Sequence, residues 1–73
     1  MNQLVDARGL SCPQPVIMTL NKIKEVKEGE IVVLVDTETA RENVSRAANS
    51  KGWTVADIQP EEEGHRLTLK KEG

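Results

Sequence analysis

The sequence predicts a two-layer α/β (α+β) sandwich, in which two helices cover one face of a four-stranded mixed sheet. Two segments repeat apolar residues at three- and four-residue steps, as amphipathic helices do. Strand-like segments precede and separate them, and the last two such segments are joined by a short polar turn typical of an antiparallel hairpin. The predicted order is β-α-β-α-β-β, and right-handed crossovers would place both helices on one face of the sheet.

Length and composition predict a single domain spanning residues 1–73. Such a chain is near the lower limit for a self-sufficient core. Its apolar residues are nearly all aliphatic, since Phe and Tyr are absent and Trp53 is the only aromatic residue. A core of this kind is enough for two packed layers.

Charge and cysteine content exclude several classes of function. The 12 acidic and 10 basic residues are mixed along the chain and give a net charge of −2. The sequence has no basic stripe, and its charge therefore does not indicate nucleic-acid binding. No apolar run is long enough to cross a membrane. One Cys and one His are too few for a metal cage, and a single Cys cannot form an internal disulfide. An unpaired thiol suits a reducing compartment, and we therefore expect a cytoplasmic protein.

The first predicted strand, Gln3–Asp6, ends in a tight connection over residues 7–11. Gly9 is free to adopt a positive φ in that connection. Asp6 could accept hydrogen bonds from the N–H groups of the turn and fix its shape. A solvated loop aspartate is the alternative interpretation.

The first predicted helix begins at Pro13 and buries one apolar stripe, with Thr19 and other polar residues on either side. We expect Gly29 to supply the turn that ends this helix. The predicted stripe consists of Val16, Ile17, Leu20, Ile23 and Val26.

The remaining segments complete the sandwich. Residues 31–35 are consecutive β-formers, which predicts a strand that is either buried on both faces or central in a small sheet. A second helix over residues 40–50 would bury mainly alanines, and residues 53–58 alternate like a half-exposed strand. Residues 60–64 predict a turn, and residues 65–70 a returning strand with Leu67 and Leu69 on one face. Trp53 is expected to pack at the edge of the domain.

Cys12 is the candidate functional residue because of its place before two prolines. Proline is tolerated in the first turn of a helix, so Pro13 and Pro15 predict that a helix starts directly after the cysteine. Cys12 is then the N-cap, and the N–H groups of Gln14 and Val16 point back toward its sulfur. The positive end of the helix dipole also favours an anion there, and the thiolate is the nucleophilic form of cysteine. A buried structural cysteine is the alternative.

Two arginines could add positive charge near the sulfur. Arg8 lies in the connection before Cys12, and Arg41 lies near the start of the second helix. Both could act there if the loop and that helix start converge. Solvated arginine side chains are the alternative, since exposed ion pairs contribute little.

Residues 6–16, DARGLSCPQPV, resemble the signature of the TusA-like sulfur-carrier family, also called SirA-like. The resemblance covers the whole chain in length and element order. Residues 35–36 and 40–46 look most similar to the YedF-like branch, which is associated with selenium metabolism and often carries a second, DsrE-like domain. The chain is thus expected to be either a stand-alone member or an N-terminal piece.

The resemblance implies that Cys12 carries sulfur as a covalent persulfide and that no other cofactor is needed. It implies a cysteine desulfurase or rhodanese-like donor and a downstream acceptor, for which a DsrE-like protein is one candidate. Arg8 departs from the bulky apolar residue expected in the tRNA-thiolation members, which leaves the relay partner open. The residues expected to shape the loop and the helix start are Asp6, Gly9, Pro13, Gln14 and Pro15.

Two other functions remain open at this point. A redox-reactive thiol protein would need the same activated sulfur, although any disulfide would be intermolecular because no resolving cysteine is present. A non-catalytic interaction or regulatory module would use the domain surface and would not depend on Cys12.

Overall fold

The structure, a computed structural model, describes residues 2–10, 14–61 and 64–71. Within these residues the element order is β-α-β-α-β-β, as the sequence predicts. The elements are β1 (Asn2–Asp6), α1 (Gln14–Val26), β2 (Gly29–Val35), α2 (Glu38–Ser50), β3 (Thr54–Glu61) and β4 (Gly64–Lys71).

The four strands form one mixed sheet in the order β1-β2-β4-β3. β1 and β2 are parallel, whereas β4 lies antiparallel to both β2 and β3. In β2, every second residue is buried and the residues between, Val32 and Leu34, are half-buried. Of the two predicted possibilities, β2 is therefore the central strand of a small sheet and not a strand buried on both faces.

The core lies between the helices and the covered face of the sheet. Trp53 is its largest side chain and is only 2% exposed, so the expectation that it packs at the edge of the domain is wrong. Its backbone N–H donates to the carbonyl of Ala48 at 3.0 Å, which ties the start of β3 to the end of α2. The buried apolar residues are Val5, Ala7, Ile23, Ile31, Val33, Val35, Ala40, Val44, Ala48, Trp53, Leu67 and Leu69.

The buried face of α1 differs from the predicted stripe. Thr19 is fully buried, whereas Ile17 is 43% exposed. The Thr19 hydroxyl donates to the carbonyl of Pro15 at 2.8 Å, so its polar group is satisfied within the helix. Because a satisfied hydroxyl can be buried at little cost, the covered line runs through Pro15, Thr19 and Ile23, each four residues apart.

The chain turns out of α1 before the predicted glycine. Lys27 has a φ of +68°, and the N–H of Glu28 donates to the carbonyl of Val26 at 2.7 Å across it. Gly29, which was expected to supply this turn, is instead the first residue of β2. A lysine thus occupies a conformation that L-residues rarely adopt.

Helix α2 begins two residues earlier than predicted. Thr37 has extended backbone angles, and its side chain accepts a hydrogen bond from the N–H of Ala40 at 3.0 Å. Thr37 is therefore the N-cap of this helix, a position that threonine favours.

The strands of the final hairpin extend into the predicted turn over residues 60–64, of which Glu62 and Glu63 lie outside the described residues. β3 continues through Pro60 to Glu61, which is paired with Gly64. Proline is accommodated because β3 is an edge strand, where an N–H is not needed on the outer side.

Candidate functional site

The candidate site is the connection between β1 and α1. Ser11, Cys12 and Pro13 lie outside the described residues, and so does the predicted N-cap role of Cys12. The structure describes the connection up to Leu10 and the helix from Gln14 onward.

Asp6 and Arg8 form the first turn of the connection. The N–H of Arg8 donates to Asp6 Oδ1 at 3.2 Å, which confirms the predicted hydrogen bond from the turn to Asp6. The Arg8 guanidinium also donates two hydrogen bonds to the Asp6 carboxylate, from Nε to Oδ1 at 2.9 Å and from Nη2 to Oδ2 at 3.0 Å. These side-chain bonds, with the backbone bond and the arginine charge, lower the pKa of Asp6 to about 2. The positive charge of Arg8 is thus already engaged by a carboxylate.

Gly9 follows with a φ of +80°, as expected for this position. A Cβ built on Gly9 would meet no atom within 4 Å, so the demand for glycine here is conformational rather than steric. The Gly9 N–H donates to Asp36 Oδ2 at 2.6 Å. Two residues earlier, the N–H of the buried Ala7 donates to the carbonyl of Leu34 at 2.9 Å. The connection is thus bonded to the end of β2 and to the residue that follows it at two positions, Ala7 and Gly9.

Asp36 is the site residue that the sequence analysis missed. It directly follows β2, and β2 is the parallel neighbour of β1. The carboxyl ends of parallel strands meet at one edge of a sheet, and polar residues there are frequent ligand-site residues. Asp6 at the end of β1 and Asp36 after the next strand were the available signal.

The surface around the connection is open. A depression of about 800 Å³ is lined by Asp6, Arg8, Gly9, Leu10 and Asp36. Leu10 is 38% exposed on one side of the undescribed residues, and Ile17 of α1 is 43% exposed on the other side in the sequence. The described residues on both sides of Cys12 therefore include an accessible apolar side chain.

The start of α1 and Arg41 differ in their relation to this site. Gln14 is exposed and Pro15 is fully buried in the first turn of α1, which is consistent with the predicted helix start. Arg41 lies on α2, where its Nη2 is 3.3 Å from Glu38 Oε1, and it does not line the depression. The described residues thus bring Asp6, Arg8 and Gly9 together with Asp36, and they leave Arg41 in a separate ion pair.

Neither metal binding nor membrane insertion is indicated in the described ranges. Residues 2–10, 14–61 and 64–71 contain no group of three or more His, Cys, Asp or Glu side chains placed to hold a metal ion. Neither of the two helices there is long and apolar enough to pass through a membrane.

Comparison with known proteins places this arrangement in a family. The family model described as "Sulfurtransferase TusA" matches residues 3–71. A protein of Methanocaldococcus jannaschii is 37% identical over 68 residues, covering 92% of this chain and 91% of the relative. The YedF protein of Escherichia coli is 34% identical over 68 residues, covering 92% of this chain and 88% of the relative. Both are described as a "Putative sulfur carrier protein".

A solved structure shows the same fold. The crystal structure of the SirA-like protein from Desulfitobacterium hafniense superimposes with a TM-score of 0.80 at 29% sequence identity. The match covers 96% of this chain and 95% of that chain. The α+β fold predicted from the whole sequence is confirmed, and so is the family resemblance predicted from residues 6–16. The chain belongs to the TusA family.

Proposed function

We propose that this protein is a sulfur carrier that accepts sulfur as a persulfide on Cys12 and passes it to a partner protein. The observation that carries the proposal is the family match over residues 3–71 in a chain with a single cysteine, which stands two residues before the first described residue of α1. The names of the relatives from M. jannaschii and E. coli support the same role.

The proposed loading step is an exchange between sulfur atoms. The Cys12 thiolate attacks the outer sulfur of a donor persulfide, R–S–SH, and a new S–S bond forms on Cys12 while the donor S–S bond breaks. The donor leaves as the thiolate R–S⁻, and the proton stays on the transferred sulfur, which then ionises to the solvent. The step needs no external oxidant or reductant, because one S–S bond replaces another.

We expect the start of α1 to stabilise the thiolate and persulfide anions of Cys12. Cys12 stands two residues before the first described residue of α1, and the first turn of that helix holds no acidic residue. A helix N-terminus stabilises a nearby anion by about 0.3–1 kcal/mol at an exposed site. We assign this stabilisation to the start of α1.

The open surface supports delivery to another protein. The depression beside the connection is shallow, and Leu10 and Ile17 expose apolar surface in the segments on either side of Cys12. We propose that Cys12 offers its sulfur on this surface to the active site of a cysteine desulfurase or rhodanese-like donor. We propose the same surface for the acceptor, for which a DsrE-like protein is one candidate. We propose that Cys12 could carry selenium in place of the transferred sulfur by the same exchange.

Mass spectrometry tests the proposal. After incubation with a cysteine desulfurase and cysteine, the peptide that contains Cys12 should gain the mass of one sulfur atom, and a reductant should remove it. The Cys12→Ser variant is the matched control and should gain nothing. Uptake by that variant would contradict the proposal, and a stable mixed disulfide in place of the added sulfur would favour the redox-thiol function. Selenocysteine in place of cysteine tests the selenium cargo by the mass that is added.

A further inference from the structure

We propose that Asp36 is a positioning residue for Cys12, and this inference rests on the proposed function. Its carboxylate holds the backbone of the connection that leads to the cysteine, so that the sulfur is presented in one place. The role is carried by the hydrogen bond from the Gly9 N–H to Asp36 Oδ2, whose N···O distance is 2.6 Å.

The bond joins two parts of the chain that lie 27 residues apart. Asp36 directly follows β2, the strand that is paired on both sides, by β1 and by β4. Its backbone is therefore anchored to the middle of the sheet. Gly9 lies in an exposed turn, three residues before Cys12. A residue anchored to the central strand thus holds an exposed turn through its side chain, which is the arrangement expected of a positioning contact.

Two other contacts described for the connection involve residues further in sequence from Cys12. The bond from Ala7 to Leu34 joins backbone atoms, and the bond between Arg8 and Asp6 spans two residues of the same turn. Neither holds Gly9 or a residue beyond it. Asp36 supplies the contact closest in sequence to Cys12 among those described for the connection.

Asp36 could act on Cys12 either by holding Gly9 through a hydrogen bond or through the negative charge of its carboxylate. An anionic acceptor makes a stronger hydrogen bond to a backbone N–H than a neutral one does. A carboxylate close to a thiolate would, however, disfavour the anion. Removing the charge and removing the acceptor therefore have different consequences, and Asp36→Asn and Asp36→Ala distinguish them.

The experiment measures the rate of sulfur transfer from a persulfide-loaded cysteine desulfurase to Cys12, from samples quenched at successive times. Asp36→Ala should slow transfer about tenfold, because small misplacements of a reacting group cost up to about a hundredfold. Asp36→Asn keeps a side-chain oxygen that can accept from Gly9, and it should restore most of the rate. Asp57→Ala removes an exposed aspartate of β3, at the opposite edge of the sheet, and should transfer at the wild-type rate.

Amide hydrogen exchange of Gly9 is the second measurement and does not depend on loading. Exchange at Gly9 should accelerate about tenfold in Asp36→Ala, since its acceptor is lost. If Asp36→Ala does not fold, as judged by its thermal unfolding, Asp36→Leu replaces it in both measurements, because leucine resembles aspartate in shape and has no acceptor.

The outcomes separate this inference from the function on which it rests. A wild-type protein that takes up no sulfur overturns the proposed function and this inference with it. A wild-type protein that is loaded, together with Asp36→Ala loaded at the same rate, overturns the positioning role alone. Equal transfer rates in Asp36→Asn and Asp36→Ala would overturn it as well, because the loss of the acceptor, which distinguishes the two variants, would then have no effect on transfer.

Discussion

Asp6 shows at the residue scale how the connection before the cysteine keeps its shape. The backbone and the guanidinium of Arg8 both donate to its carboxylate, and they lower the pKa of Asp6 to about 2. A lowered pKa in the folded state means that the contribution to stability is complete above the unfolded pKa, near 4. It is lost as the pH falls from there through about 2. The turn should therefore keep this contact at every pH above about 4.

Replacing Arg8 tests the cause of that shift. In Arg8→Gln the pKa of Asp6 should rise toward its ordinary value of 3.8, because the charged donors are gone. An NMR titration of the side-chain carboxyl carbon measures it. Arg66→Gln breaks the ion pair with Glu61 on the hairpin instead and should leave the pKa of Asp6 where it is. A pKa that remains near 2 in Arg8→Gln would contradict the assigned cause.

The sequence predicts the residues of this connection better than their partners. Asp6 and Gly9 could be interpreted from local rules, since an aspartate that caps its own turn and a glycine with positive φ depend on near neighbours. The bond between Gly9 and Asp36 depends on the register of β1 against β2, which no local pattern contains. Thr19 differs from the prediction for another reason. Its hydroxyl bonds to the carbonyl of Pro15 within the helix, so this polar side chain can be buried although its hydrophobicity is low.

At the scale of single elements, the end of α1 is where sequence and structure differ most. A helix-ending glycine is expected to take the left-handed conformation, but here Lys27 takes it, two residues before Gly29. Packing decides the point at which the chain leaves the helix. Ile23 and Val26 remain on the core side, and the chain must then reach the first residue of β2.

Lys27→Gly should therefore stabilise the protein. The left-handed conformation costs an L-residue about 1–2 kcal/mol, and after the entropy cost of glycine we expect a gain of about 0.5–1 kcal/mol. The free energy of unfolding from urea titration measures it. Lys24→Gly makes the same replacement in the helical part of α1 and should destabilise by about 0.5–1 kcal/mol. Equal signs for the two variants would contradict a strained Lys27.

At the scale of the whole molecule, the one-sided coverage of the sheet places the site. Both helices cover the face that carries Val33 and Leu67, whereas Leu4 on the opposite face of the sheet is 61% exposed. The element order predicts this layering, because right-handed crossovers place both helices on one face of the sheet. The carboxyl ends of β1 and β2 then meet at one edge, where the connection to Cys12 is tethered to Asp36.

The hairpin of β3 and β4 supports that edge from the other side of β2. Gly64 begins β4 with a φ of +150°, and a Cβ built there would overlap the carbonyl group of Val35 and lie 2.6 Å from the Cα of Asp36. The close approach of these two backbones is what fixes Asp36 relative to the sheet. A side chain at position 64 should therefore disturb both the fold and the tether to Gly9.

Gly64→Ala should destabilise the protein by about 3 kcal/mol, as backbone strain and overpacking add at one position. Gly29→Ala is the matched control, because Gly29 also has a positive φ, of +118°, but a Cβ there meets no atom within 4 Å. It should cost about 1–2 kcal/mol, from strain alone. Urea unfolding gives both values, and amide exchange at Gly9 should accelerate in Gly64→Ala only. Equal losses of stability with unchanged exchange at Gly9 would show that the hairpin does not hold Asp36 in place.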